Sequence, residues 1–182
     1  LEILPPDINE SLEDFTLIKV ERPKIRFGLT AIKNLSENAV NSIIAKRKEI
    51  GSFKNIQNFL EAIPSGDLNK KSLEALIKCG SLDGFLERRM LFMNIEELLR
   101  YVKDLSKNNN SSQAGLFESF KALAPLNLIQ AEPASKKEKL SWEKELLGLY
   151  TTEHPANEYK EIMEKKSLLI GKIKPALIGQ KT

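Results

Sequence analysis

Apolar residues recur along this chain at two different periods. Ala39, Val40, Ile43 and Ile44 fall on one face at helical spacing, which predicts a helix after Ser36. Ser36 can cap that helix and Gly51 can stop it. Ser52 opens a second run, SFKNIQNFLEAI, with Phe53, Ile56, Phe59, Leu60 and Ile63 on one face. The run breaks at Pro64–Asp67, PSGD. Asn69 opens a third, with Leu73, Leu76 and Ile77 facing inward and Gly80 ending it. A single long helix is predicted from about Phe85 to Lys107, with Leu91, Ile95, Leu98, Leu99, Val102 and Leu105 as its stripe. No such stripe is buried by its own helix, so these helices must share one small core. Ahead of them, Phe15, Leu17 and Lys19 alternate with Thr16, Ile18 and Val20, which predicts a short strand or extended arm. Pro5 and Pro6 exclude helix there. Behind them the polar run NNNSSQ leads into the apolar pair Leu116 and Phe117. AEPASKKEK (131–139) reads as a second linker and Ser141–Leu149 as a short helix. HPANEY reads as a turn, followed by a helix over Ala156–Lys166 and a tail of strand or loop.

Composition narrows the class. The 182 residues suit one domain or slightly more, and 41% apolar with 29% charged is an ordinary globular balance. The lone cysteine, Cys79, cannot form an internal disulfide or a zinc cluster, which argues against a secreted scaffold. No signal peptide or membrane-spanning run is present, so a cytoplasmic protein with no membrane partner is expected. Beginning at Leu1 and stopping at Thr182 in mid-flow, the sequence reads as a piece of a longer chain.

The net charge of +3 names no partner, but its distribution says more. From Lys19 to Lys78 there are twelve Lys and Arg against six Asp and Glu. Two segments in that neighbourhood resemble each other, IKNLSENAV (Ile32–Val40) and IKCGSLDGF (Ile77–Phe85), about 45 residues apart. In each, an apolar–Lys helix end precedes a tight turn and an acidic residue opening the next helix. Such a unit resembles the helix-hairpin-helix motif, and the pair resembles its tandem form. The turn would leave the unpaired amides at the next helix start facing outward, where with the helix dipole they suit a phosphate. Two hairpins could hold both strands of a duplex without reading bases. The motif favours glycine around its central apolar residue. Here the first hairpin, Lys33, Asn34, Leu35 and Ser36, has Asn34 and Ser36 instead, and Asn tolerates the left-handed turn. The second, Cys79, Gly80 and Ser81, keeps one glycine. Lys46, Arg47 and Lys48 end the first helix, Lys70 and Lys71 open the third, and Arg88 and Arg89 follow the second hairpin. Each is a candidate phosphate contact or simply a solvated charge, and the hairpins are either a grip on DNA or a packing turn.

Longer strings carry a closer resemblance. ILPPDINES, IRFGLTAIKNLSENAV, FLEAIPSGDLNKKSLEALIKCGSLDGF and EKELLGLYTTEHPANEY follow one another in this order. They resemble the C-terminal half of the alpha (polymerase) subunits of bacterial DNA polymerase III, over nearly the whole chain. The resemblance implies a mainly α fold, a tandem helix-hairpin-helix domain with an extended N-terminal arm and a lead-in to an OB-fold. Residues 1–25 would end the fingers region, 26–107 would hold duplex DNA, 108–122 would be a linker carrying a clamp-binding motif, and 123–182 would begin the OB-fold. The implied partners are double-stranded DNA, the beta sliding clamp and the other polymerase III holoenzyme subunits. The catalytic palm would lie upstream, so this piece would not polymerise DNA.

Clamp ligands in that family resemble Gln, two variable residues, Leu, Phe, which QAGLF matches as Gln113, Ala114, Gly115, Leu116 and Phe117. Leu116 and Phe117 would fill an apolar pocket, Gln113 would bond at its edge, and Gly115 would let the backbone bend. No catalytic constellation competes with this. His154 is the only histidine and precedes Pro155 in a turn, Glu13–Asp14 and Glu96–Glu97 are adjacent rather than convergent, and Trp142 suits packing. Neither metal nor cofactor is expected. The alternative from another class is a protein-interaction scaffold whose degenerate hairpins no longer touch DNA. A nuclease or repair accessory lacks the necessary carboxylate cluster.

Overall fold

The N-terminal segment, expected to be an extended arm with at most a short strand near Phe15–Val20, folds into a sheet of which that strand is one member. A computed structural model of the chain describes residues 2–110 and 126–159. Strands β1 (Glu2–Leu4), β2 (Thr16–Ile18) and β3 (Lys24–Arg26) lie in the order β1-β3-β2, with β1 parallel and β2 antiparallel to β3. Register sets Ile3, Ile25 and Leu17 side by side, and Phe15 meets Phe27 edge-on at 4.6 Å between ring centres. Phe27 is fully buried, so this row joins the sheet to the helical core.

Helix α1 (Glu37–Ile50) begins at Ser36, whose hydroxyl accepts from the Ala39 amide, and ends at Gly51 with φ 84°. Helix α2 spans Ile56–Ala62 only. The expected start at Ser52 is wrong by one turn because Asn55 takes the cap, accepting from the Asn58 amide. Phe53 is buried all the same: Asn9 bonds both its amide and its carbonyl, at 2.8 and 3.0 Å. Helix α3 (Lys70–Lys78) starts at the Asn69 cap, as expected, and buries Leu73, Leu76 and Ile77.

The predicted long helix is two helices, α4 (Arg88–Met93) and α5 (Ile95–Asn110), broken at Asn94. Asn94 is buried, and its amide side chain bonds the Met90 carbonyl and both backbone groups of Ile129. A buried amide satisfied outside its own helix competes with the helical ladder, so the break falls where residue 129 docks.

Helix α6 runs Lys136–Leu147, so the KKEK expected in a linker is its first turn. Ser135 and Glu138 form a reciprocal capping box there. Leu140, Leu146 and Leu147 are buried, the last two in the main core, and α6 packs on α3. Residues 1–152 thus form one compact unit, and the boundary expected near residue 107 does not divide it. The second unit, 153–182, is described only through a 3-10 turn at Pro155–Tyr159, which accounts for HPANEY. The fold class is mainly α with a small sheet. The QAGLF segment, most of the expected Ala156–Lys166 helix and the tail lie outside the described residues.

Candidate nucleic-acid interface

The first hairpin differs from expectation in its leading element. A 3-10 turn (Leu29–Ala31), not a helix, precedes it. Ile32 is buried and anchors the turn, while the Leu35 amide closes it by donating to the Ile32 carbonyl at 3.3 Å. Asn34 has φ 67°, the only non-glycine with positive φ among the described residues. Asn is among the few residues that enter this region at modest cost, so it replaces the glycine of the motif. The chain then reverses into Ser36, and the first turn of α1, Glu37 and Asn38, stands exposed. Those amides have no partner within their own helix and carry the positive end of its dipole.

A second helix start lies alongside. The Ser36 amide donates to the Ser72 hydroxyl at 3.4 Å, and Ser72 is wholly buried in the first turn of α3. The beginnings of α1 and α3 therefore adjoin, a relation no spacing in the sequence signals. Asn34 and Lys71 line one cleft of about 340 Å³ with Lys78, Glu74 and Glu145. Lys78 is paired with Glu74 at 2.5 Å and lies over the Phe92 ring, and Lys70 is paired with Glu96. Lys33 and Lys71 are exposed and make no ion pair among the described residues, with the Glu145 carboxylate sharing the cleft of Lys71.

The second hairpin is organised differently. The expected helix start at Asp83 is displaced: α4 begins at Arg88, capped by Glu87. Helix α3 closes in a Schellman motif, the Gly80 amide donating to Ile77 at 3.1 Å and the Ser81 amide to Leu76 at 3.2 Å. Cys79, Gly80 and Ser81 are buried, and burial pushes the Cys79 thiol up to about 11. Their expected role as DNA contacts is not matched by this placement, because both hairpin amides are spent inside the fold. The space a glycine would offer a phosphate is filled by the Arg88 guanidinium, which lies where a Cβ on Gly80 would go.

Arg88 is itself no surface cation. Its side chain is 3% exposed, and Nε donates to the Asp83 carboxylate at 2.9 Å while Nη1 donates to Glu143 at 3.0 Å. The Glu143 side chain is fully buried and also accepts from the Thr151 and Thr152 amides at 2.9 and 3.0 Å. Burial pushes the Glu143 carboxyl up, but bonds from Thr152, Thr151 and Arg88 outweigh it and hold it below the usual carboxylate range. Arg89 pairs with Glu138 of α6 at 2.5 Å.

At the end of α1 the basic cluster divides. Arg47 donates to the carbonyls of Ile8 at 2.9 Å and Ser11 at 2.6 Å and so pins the N-terminal segment. Lys46 pairs with Glu49 at 2.8 Å. Lys48 is exposed and unpaired among the described residues. Of the expected contact residues, Lys33, Asn34, Ser36 and Lys48 thus remain at the surface or a helix start. Leu35 is half-buried against the core. Residues 113–117 lie outside the described part. Sequence reasoning missed Ser72, Asp83 and Glu143 as organising residues, since each is an unremarkable helix or turn residue until its partner is known. Among the described residues no three His, Cys, Asp or Glu side chains are grouped to hold a metal, and no helix is long and apolar enough to cross a membrane.

The family model described as "Helix-hairpin-helix motif" matches residues 1–91. Proteins named DNA polymerase III subunit alpha match almost the whole chain. The one from Thermus aquaticus is 37% identical over 170 residues, 93% of this chain and 13% of its own length. That from Deinococcus radiodurans is 38% identical, covering 92% of this chain and 13% of its own length. That from Neisseria meningitidis serogroup A is also 38% identical, covering 96% of this chain and 15% of its own length. The chain therefore spans roughly one seventh of the length of these relatives.

Proposed function

This chain belongs to the family of DNA polymerase III alpha subunits, and on that premise we propose that it grips duplex DNA without sequence preference. The observation that carries the proposal is the first hairpin. Asn34 turns the chain at φ 67°, so the start of α1 stands open beside that of α3, with Lys33 and Lys71 exposed and outside any ion pair among the described residues. Backbone amides and flexible lysines contact phosphate oxygens, which are the same at every base pair, so the grip is indifferent to sequence. Lys48 extends the basic surface at the other end of α1. The second hairpin contributes by shape, holding α3 and α4, rather than through the side chains of Cys79, Ser81 and Arg88.

The test is duplex affinity of the 182-residue chain at two salt concentrations. With about four phosphates contacted, affinity falls about 100-fold between 50 and 200 mM salt. Equal affinity at both would refute phosphate contact.

The same family premise supports a second element of the proposal, that residues 113–117 tether the polymerase to the sliding clamp. Leu116 and Phe117 enter an apolar pocket and Gln113 bonds at its rim. Replacing Gln113, Leu116 and Phe117 by Ala abolishes binding to purified clamp in surface plasmon resonance and leaves the circular dichroism spectrum unchanged. Undiminished clamp binding would discard the tether. The other holoenzyme subunits are proposed partners on the family premise alone, as is a cytoplasmic location. Polymerisation is assigned to parts of the longer protein outside this chain.

One observation favours a scaffold that binds protein instead: the second hairpin has spent its amides and paired both its arginines internally. The duplex titration separates the two readings, since a scaffold has no salt-dependent affinity for duplex.

A further inference from the structure

Arg88 is the most heavily engaged charged group among the described residues, and the proposed grip on phosphate does not use it. Its guanidinium touches four places at once. Nε holds Asp83 in the second hairpin, Nη1 reaches Glu143 on α6 and the Lys78 carbonyl at the end of α3, and Nη2 lies 3.5 Å from the Thr152 hydroxyl. Glu143 in turn receives the Thr151 and Thr152 amides and the Thr152 hydroxyl. Gly80 has no side chain, and the guanidinium occupies that space. Segments 55 and more residues apart in sequence, from hairpin to α6, are thus joined through one buried cation and one buried carboxylate.

Stability alone is a poor reason for such a pair. Desolvating two charges costs about as much as their attraction returns, and apolar side chains of equal volume often serve as well. Direction is what a planar guanidinium adds: its donors are fixed in a fork and each must meet its acceptor. We propose that Arg88 and Glu143 are a positioning pair which sets the second hairpin from α6, so that the hairpin is held for duplex only while α6 and the Thr151–Thr152 turn are docked. The duplex half of this inference rests on the proposed function above. The mechanical half does not.

Hydrogen exchange and duplex affinity of the 182-residue chain test the two halves separately. Two variants are used. Glu143→Gln removes the buried charge, and Asp83→Ala cuts the tether at a half-exposed residue and so spares the core. In both, amides of the 79–87 segment exchange about tenfold faster or more, while amides of α1 keep their protection. Duplex affinity falls several-fold, in proportion to a coupling of this kind. Equal acceleration in 79–87 and in α1 would mean that the pair only adds global stability, and the inference is then wrong. Unchanged exchange in both variants overturns it equally. A looser hairpin with undiminished duplex affinity overturns the duplex half. If the unaltered chain binds no duplex at any salt, the proposed function fails, and the exchange result still decides the mechanical half. Should Glu143→Gln fail to fold, Asp83→Ala alone decides.

Discussion

Gly80 shows how one residue can satisfy a motif for a different reason. In a helix-hairpin-helix turn, glycine is expected because a phosphate comes close to the backbone. In this chain its φ of 86° ends α3, and its missing Cβ makes room for Arg88. Both demands are steric and both reject alanine. Gly80→Ala costs about 1–2 kcal/mol for the left-handed backbone and more for displacing a guanidinium that cannot leave its carboxylates. The expected loss is about 2–4 kcal/mol, within the range of severe single substitutions. Urea denaturation of the variant reads it as a lower midpoint at unchanged slope. A loss below about 0.5 kcal/mol would show that the pocket over Gly80 yields freely. The same residue-level logic separates the basic positions. Arg47 and Arg88 are consumed by carbonyls and carboxylates, whereas Lys33, Lys48 and Lys71 make no ion pair among the described residues; a planar guanidinium fork meets several fixed acceptors at once where a flexible ammonium stays in water.

Among the elements, α6 changes the picture most. It is legible as a helix from SWEKELL, and its start is a local signal too, Ser135 and Glu138 at capping-box spacing, which the linker reading of AEPASKKEK passes over. Its docking on α3 was not legible at all. The contribution is large. Burying Leu140, Leu146 and Leu147 is worth about 5–8 kcal/mol by apolar area. That gross gain is of the order of the whole net stability of a typical domain, about 5–15 kcal/mol, before the ordering entropy of α6 is subtracted. A chain cut after residue 110 is therefore expected to lose cooperative thermal unfolding, while one cut after residue 152 keeps it. Circular dichroism melts of the two pieces check this. A sharp transition in the shorter piece would restore the boundary near residue 107.

At the scale of the molecule, the helices and their inward faces were legible because period and caps are local. Ser36, Asn55 and Asn69 each accept from an amide three residues on, a bond set by a few consecutive residues. The family was legible too, through strings such as NKKSLEALIKCGSLDGF. The sheet, the docking of α6 on α3, the meeting of the α1 and α3 starts, the break at Asn94 and the true occupation of the second hairpin escaped. Each depends on a partner far along the chain. β1 needs β3, Asn94 needs Ile129, and Arg88 needs Glu143. The sequence carried the helical segments, the faces they bury and the family resemblance, because short-range hydrogen bonds and hydrophobic period act within a few turns; it did not carry the split of α4 from α5, and the linker reading passes over the first turn of α6. Tertiary structure alone decided which basic residues are spent inside the fold. A charge is available or spent according to what the folded chain brings within about 3 Å of it, and that distance is not encoded in any local pattern.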